Sequence, residues 1–502
     1  MEKQSSAVID KFIQTYPQYE TLVKDFIKYD QQHIFNHVDE LPEQEVERFI
    51  KSLKEIDLQL MEDLYKNLVK NPAPEKHEKE EITKMKNILR LKEISSQQEK
   101  EFIELGSELI QKGKIAILLL SGGQGSRLGF EHAKGLYNIG MPSGKTIFEY
   151  HAYKIRRISE IVSAKFEQEY KHSLLKWYVM TSQMNHQEIV DYFEQKDYFG
   201  LGKETIKFFS QESMPALDLN GKIVMEDKNL VCQAPNGNGG VWSGLINYGI
   251  LDEMKKAGIE YLNIFGVDNV LAKPGDPLFL GYAAKNAYQI ACKFVPKAYP
   301  EEKVGIHVLK NGKPDVIEYS EMTPEMIHRK DENGNLVFDT SHIVNALYSI
   351  SFLETAATSS AKNYHLAKKK IKYYDEEKKQ AITPSDINGY KFELFYFDIL
   401  PLSDPEKFGL IEVKREEEFA PVKNAPGAAQ DSPDTARTLM SQLHQGWLEQ
   451  RGVKFNKKAG GDPDSLCELN VAQVYDQRDP NLDKIAELIQ GPTQTLPLYI
   501  SL

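Results

Sequence analysis

Residues 120–129 read L-S-G-G-Q-G-S-R-L-G, so an apolar run at 115–120 empties into a loop with glycines at 122, 123, 125 and 129 and one arginine. Glycine lets a backbone approach a ligand closely and leaves amide N–H groups to face anionic oxygens. Arg127 adds a planar fork of donors that suits a phosphoryl group. The predicted chemistry is phosphate binding; the competing reading is a turn kept small for packing. Two common nucleotide fingerprints do not fit. A dinucleotide loop starting at Gly123 would need its third glycine at 128, where Leu128 stands and the glycine arrives one place late. A P-loop would need four residues between Gly140 and Gly144-Lys145-Thr146 and finds three. NAD binding and Walker-type hydrolysis are therefore disfavoured.

Lys134 follows the loop in H-A-K-G-L-Y, near enough to offer the same ligand a compact positive charge. A second glycine-rich stretch, C-Q-A-P-N-G-N-G-G at 232–240, precedes Val241, Trp242 and Leu245 at the start of a helical pattern. Its backbone and asparagine side chains suit hydrogen bonds to a base or a sugar. Asp268, in F-G-V-D-N, directly follows an apolar strand. Magnesium is held through few carboxylates plus substrate phosphate oxygens, so this aspartate suits a metal anchor as well as it suits a turn or helix cap.

The elements that must position these residues follow from periodicity. Apolar residues at helical spacing (Val8, Phe12, Leu22, Phe26, Phe49, Leu53, Leu58) predict a helical region over 1–110, broken by an exposed connector at 72–81 with two prolines. Over 111–404, β-rich runs at 115–120, 177–181, 206–210 and 261–267 alternate with amphipathic stretches. That alternation predicts an α/β domain whose mainly parallel sheet presents ligands at its strand carboxyl ends. Residues 391–400 read as a further strand, and 405–502 as a small C-terminal domain. The lysine-rich stretch 368–379 also contains Asp375, Glu376 and Glu377, which reads as a solvated surface insertion.

The chain has 502 residues, 41% hydrophobic and 27% charged, enough for a large core. Its net charge of −12 argues against nucleic acid as a partner. Three scattered cysteines, Cys232, Cys292 and Cys467, exclude a disulfide framework. Neither a signal peptide nor an apolar run long enough for a membrane span is evident, so a cytoplasmic protein is expected.

The phosphate loop, K-G-L-Y at 134–137, A-P-N-G-N-G-G at 234–240, G-V-D-N at 266–269, E-Y-S-E at 318–321 and V-K-N-A at 422–425 occur in the order and spacing of the eukaryotic UDP-N-acetylglucosamine pyrophosphorylases. Over about 115–430 the chain resembles that family. The resemblance implies a Rossmann-like nucleotidyltransferase domain of the GT-A type. It also implies synthesis of UDP-N-acetylglucosamine and pyrophosphate from UTP and N-acetylglucosamine 1-phosphate, with magnesium, or alternatively manganese, as cofactor. No protein nucleophile and no obligate protein partner are implied. By the same resemblance Leu120, Ser121, Gly122 and Gly123 cradle the nucleotide, and Arg127 and Lys134 are cations on the triphosphate. Gln211 and Gly237 read uracil, Asn238 meets the acetamido side of the sugar, and Asp268 lies near the metal and the α-phosphate. Gly305, Glu318, Tyr319 and Asn345 belong to the sugar site, and Lys391 and Lys423 bind phosphates from the far side.

Two departures stand out. The family reads G-N-I-x-N-H where this chain has Ser341-His342-Ile343-Val344-Asn345-Ala346, placing the larger, flatter His342 where an asparagine faces sugar hydroxyls. The stretch C-E-L-N-V-A-Q-V-Y-D at 467–476 matches the family's C-terminal motif only loosely. Two alternatives compete: a UDP-glucose, UDP-galactose or broad UDP-sugar pyrophosphorylase, and an inactive UDP-sugar-binding protein. The second is disfavoured because Arg127, Lys134, Asp268 and Lys423 are all present.

Overall fold

Every residue of Ile115–Leu120 is apolar and buried in the computed structural model, as a strand with neighbours on both sides requires. The structure describes residues 2–71, 80–359 and 363–502, so all but the last two residues of the expected connector at 72–81 lie outside it. Two compact units divide the chain. The larger takes Glu81–Ser210, Val241–Ser360 and Phe397–Leu502, and the smaller takes Met1–Glu80, Gln211–Gly240 and Ala361–Tyr396.

The larger unit holds an eleven-stranded sheet. Its strands are β1 (Ile82–Thr83), β2 (Ile88–Leu89), β3 (Ile115–Leu120), β4 (Lys176–Thr181), β5 (Ile206–Ser210), β6 (Tyr261–Gly266), β7 (Ile290–Pro296), β8 (Ile306–Lys310), β9 (Lys313–Ile317), β10 (Thr340–Ser349) and β11 (Phe408–Glu412). The main path runs β2-β11-β7-β10-β6-β3-β4-β5, with β8 joining β10 to β9 and β1. Along that path only the two pairings of β10 are antiparallel, so the expected mixed, mainly parallel α/β sheet is what forms. Helix Ile147–Lys165, opened by a capping box of Thr146 and Glu149, buries twelve of its residues.

Helices Ser96–Gln111 and Pro277–Lys285 cross at a pair of glycines. A Cβ on Gly281 would overlap the Phe102 carbonyl, and one on Gly106 would overlap the Pro277 carbonyl. Backbone cannot yield as a side-chain tip can, so Gly281→Val is expected to destabilise the protein by about 2 kcal/mol or more. A thermal midpoint equal to the parent's would show that this crossing opens freely.

The N-terminal helices form as their spacing predicts: Glu2–Thr15, Glu20–Lys28, Glu43–Lys54 and Leu58–Leu64. Their buried residues Phe12, Phe26, Phe49 and Leu53 share one core with Met214, Leu217, Ile223 and Phe392, so this unit recruits chain well past residue 110. The expected boundary at 404 also differs from the observed division. Phe408–Glu412 pairs in parallel with β7 inside the main sheet, although a small core around Trp447, Leu448, Leu469 and Ile485 persists in the C-terminal stretch. The strand expected over 391–400 stops at Glu393. Beyond it the Gly239 N–H donates to the Leu394 carbonyl at 2.9 Å and the Tyr396 N–H to Asn238 Oδ1 at 2.9 Å. The chain is thereby captured by the second glycine loop and turns into the 3-10 segment Tyr396–Leu402. Among the described residues no helix is long and apolar enough to cross a membrane.

Candidate active site

Two loops leave adjacent parallel strands side by side. Leu120 pairs with Gly266 at the carboxyl ends of β3 and β6, and the Val267 N–H donates to the Leu120 carbonyl at 3.2 Å. The phosphate loop and Asp268 thus emerge from one sheet edge, the place where parallel α/β sheets bind ligands. Ser121, the residue after β3, is fully buried, its N–H donating to the Met180 carbonyl at 2.8 Å and its carbonyl accepting from Asn185 Nδ2 at 3.2 Å. The loop then folds back on itself: Gly125 N–H donates to His132 O at 2.9 Å, and Lys134 N–H to Gly123 O at 3.2 Å. Glu188 clamps this return, taking the Ala133 N–H at 3.0 Å and pairing with His132. Gly135 packs against the Phe148 ring, where a Cβ would not fit, so Lys134 is held beside the loop. Gly123 stands in open space, and Arg127 is exposed on the turn Ser126–Leu128.

Lys423 reaches the same edge through the chain that pairs with the Asp268 loop. The Val422 N–H donates to the Asp268 carbonyl at 2.9 Å, and Asn269 bridges to Pro421. Asn269 is the joint: its Oδ1 takes the Ala420 N–H at 2.9 Å and its Nδ2 donates to the Glu418 carbonyl at 2.7 Å. The Lys423 N–H closes its own loop onto the Asp431 carbonyl at 2.7 Å. Burial, with the negative charge of Asp268 adding to it, raises the Asp431 carboxyl above the ordinary aspartate range, against the pull of Lys423.

A buried charge network underlies both loops. Lys293 Nζ bonds Asp276 at 2.7 Å and Glu418 at 2.6 Å, all three nearly inaccessible. Burial alone would raise the Asp276 carboxyl; Lys293, then Arg478 and Lys273, outweigh it and hold it below the usual range. Lys154 Nζ donates to the Val270 and Ala272 carbonyls at 2.7 and 2.9 Å, bracing the turn after Asp268 from below. Burial, then the charge of Lys273, pulls the Lys154 ammonium down to about 7. One helical turn earlier, His151 Nε2 donates to the Val267 carbonyl at 3.0 Å.

Gly305, Glu318 and His342 come together. The His342 N–H donates to the Gly305 carbonyl at 2.7 Å, and a Cβ on Gly305 would sit 3.2 Å from the Glu318 carboxylate. Strand β10 bulges here, since its four-residue step from His342 to Ala346 spans the two-residue step from Phe294 to Cys292. Val344 takes φ 53° in the bulge, a costly conformation for a β-branched residue, and its Cγ1 lies 3.3 Å from where a Cβ on Gly266 would stand. Tyr319 is 47% exposed rather than packed in a strand. Asn345 is 3% exposed and its Oδ1 accepts from Asn263 at 3.0 Å, which fits support of β10 more than direct contact with a ligand.

In the smaller unit, Gly237 adopts φ 87° with its backbone against Leu394, leaving no room for a Cβ. Asn238 Oδ1 is engaged by the Tyr396 N–H, and Gln211 lies 3.3 Å from where a Cβ on Gly240 would stand. Lys391 sits on Gly389–Glu393 opposite Ala367, with its charge felt at Cys232, the first residue of the second glycine stretch. The structure therefore gathers Gln211, Gly237, Asn238 and Lys391 around that loop. Among the described residues, the side chains of Arg127, Lys134, Asp268, Lys391 and Lys423 make no ion pair.

Residues 58–489 match the family described as UTP–glucose-1-phosphate uridylyltransferase. The chain belongs to this uridylyltransferase family. It is 38% identical to the UDP-N-acetylglucosamine pyrophosphorylase of Saccharomyces cerevisiae over 401 residues, 78% of this chain and 83% of the relative. With UDP-N-acetylglucosamine diphosphorylase 2 of Arabidopsis thaliana it shares 34% over 500 residues, 96% and 94% of the two chains. The crystal structure of the uridine diphosphate N-acetylglucosamine pyrophosphorylase from Trypanosoma brucei in complex with inhibitor matches with a TM-score of 0.78. That match has 28% identity and covers 96% of this chain and 98% of that one. The uridylyltransferase match begins well before residue 115 and ends well after 430, so it takes in parts of the helical N-terminus and of the C-terminal region. Asn269, Glu188, Glu418 and Lys293 support these loops without having been singled out by sequence. Only Asn269 carried a signal, its place next to Asp268 in G-V-D-N.

Proposed function

We propose that this member of the uridylyltransferase family makes UDP-N-acetylglucosamine and pyrophosphate from UTP and N-acetylglucosamine 1-phosphate. The observation that carries the reading is the pair of loops at the ends of β3 and β6, bearing Arg127, Lys134 and Asp268, with Lys423 on the segment bonded to the second loop and all four without ion pairs among the described residues. Cations left unpaired in a chain of net charge −12 suit a polyanionic substrate. A phosphate oxygen of the sugar 1-phosphate attacks the α-phosphorus of UTP in line; the new O–P bond forms as the α–β bridging P–O bond breaks, and pyrophosphate leaves with its electrons. The protein's work is to hold two anions at attack distance and to meet charge building on the leaving group. Arg127 and Lys134 serve the triphosphate, Lys423 and Lys391 the transferring and sugar phosphates, and Gln211 with Gly237 the uracil. Asn238, Gly305, Glu318, Tyr319 and His342 serve the sugar, with Asn345 supporting His342 through β10.

Magnesium fits the donor set. Among the described residues no cluster of three or more metal-ligating side chains occurs, and magnesium on a nucleotide needs few protein ligands. Half-buried Asp268, which stands past a strand end and makes no ion pair among the described residues, is the residue that would hold it, or manganese, with phosphate oxygens. The ion would supply neutralisation of triphosphate charge.

Pyrophosphate release from UTP and magnesium, measured over a panel of N-acetylglucosamine, N-acetylgalactosamine, glucose and galactose 1-phosphates, tests the proposal. The N-acetylated pair is expected to react fastest. Preference for glucose or galactose would keep uridylyl transfer and overturn the sugar, whereas tight UTP binding with no release from any sugar would point to a silent binder.

A further inference from the structure

His342 stands in contact with a second buried imidazole. His342 Nδ1 lies 3.2 Å from His307 Nε2, the rings meeting edge to face at a centroid distance of 4.9 Å. Phe397 lies against His342 and Phe408 against His307. Strand β8 brings His307 here, Thr340 Oγ1 fixing its carbonyl at 2.9 Å and Ile306 pairing with Ser341. His307 Nδ1 is buried and has no hydrogen-bond partner among the described residues.

This geometry fixes the direction of the hydrogen bond. If His342 donated from Nδ1, neutral His307 would carry its own proton on Nδ1, a buried N–H with no acceptor. Orphaned buried N–H groups are rarer in folded proteins than under-satisfied acceptors. If instead His307 donates from Nε2, its Nδ1 keeps only a lone pair, and His342, accepting at Nδ1, carries its proton on Nε2. A charged imidazolium at either position is opposed by burial, and at His342 also by its neighbour His307 and by Lys423.

We propose that His307 is a positioning residue: it holds His342 in the neutral tautomer protonated at Nε2, so that His342 offers the sugar 1-phosphate a hydrogen-bond donor. The role toward the sugar rests on the reading that His342 faces that substrate. The tautomer stands on geometry alone.

Long-range ¹H–¹⁵N correlation on the full-length protein labelled at histidine, with His342 assigned by its loss in His342→Asn, reads the tautomer without perturbing the pair. The Nε2–H form is expected, unchanged between about pH 6 and pH 8. A proton on Nδ1 would overturn the proposal. His307→Phe keeps a ring and removes the donor, whereas His307→Gln restores an N–H near the same place. The phenylalanine variant is expected to raise the KM for the sugar 1-phosphate about tenfold, the effect of one lost hydrogen bond, with the KM for UTP within about twofold. The glutamine variant should recover most of that loss. Equal behaviour of the two variants would overturn the positioning role. Should His342→Asn itself leave the sugar KM and sugar preference unchanged, the sugar-facing reading fails, and the tautomer measured in the parent separates that failure from an error about the pair.

Discussion

Lys423→Ala is expected to lower kcat/KM for uridylyl transfer by about 10²-fold or more, the scale lost when one preorganised charge-stabilising donor is removed. The lysine is placed by main chain: its N–H bonds Asp431, and the residue before it bonds Asp268. Its side chain makes no ion pair among the described residues, so truncation strands no buried partner charge. Stability should therefore stay within about 1 kcal/mol of the parent. Both steady-state rates of pyrophosphate release and the thermal midpoint decide it. A change in kcat/KM within about twofold would refute the role. Lost activity with a collapsed midpoint would show instead that Lys423 holds the 423–431 loop together.

The contrast between Lys423 and Lys293 explains which parts of this protein a reader of the sequence can recover. The strand ends were readable because Ile115–Leu120 is a continuous apolar run ahead of the S-G-G loop and the apolar stretch 264–267 stops at Asp268, so both loops could be placed at a sheet edge. That they lie side by side needed the register of Leu120 on Gly266. The burial of Lys293 carries no such signal, because charged residues are seldom buried unless paired and its partner Glu418 lies far along the chain. The same distance hid His307, which one sequence cannot connect to a histidine 35 residues later. Strand 391–400 was over-extended because its apolar alternation continues past Glu393, while a tertiary hydrogen bond from Tyr396 to Asn238 decides where pairing stops. The two compact units are not legible for a related reason: the smaller unit's core is built from three separated stretches, and composition changes along a chain carry no record of which stretches pack together.

Gly123→Val separates the two readings of the glycine loop and is expected to leave the fold intact while weakening UTP binding at least about 100-fold, near 3 kcal/mol at 1.4 kcal/mol per tenfold. A Cβ at Gly123 would meet nothing within 4 Å, and its φ lies outside the left-handed region, so the protein itself has no steric use for the missing side chain. Gly125 is different: a Cβ there would stand 2.8 Å from the Phe130 ring, so packing alone accounts for that glycine. If the loop were glycine-rich only for packing, substitution at 123 should be silent in both stability and binding. If the empty space beside Gly123 is where phosphate oxygens approach the backbone, valine fills it and blocks their access to the amides without touching the core. Titration calorimetry with UTP, run beside thermal unfolding, reads both quantities on one sample. Parent-like UTP affinity in a folded Gly123→Val protein would remove the cradle from this stretch and leave Arg127 and Lys134 to bind the triphosphate from side chains alone.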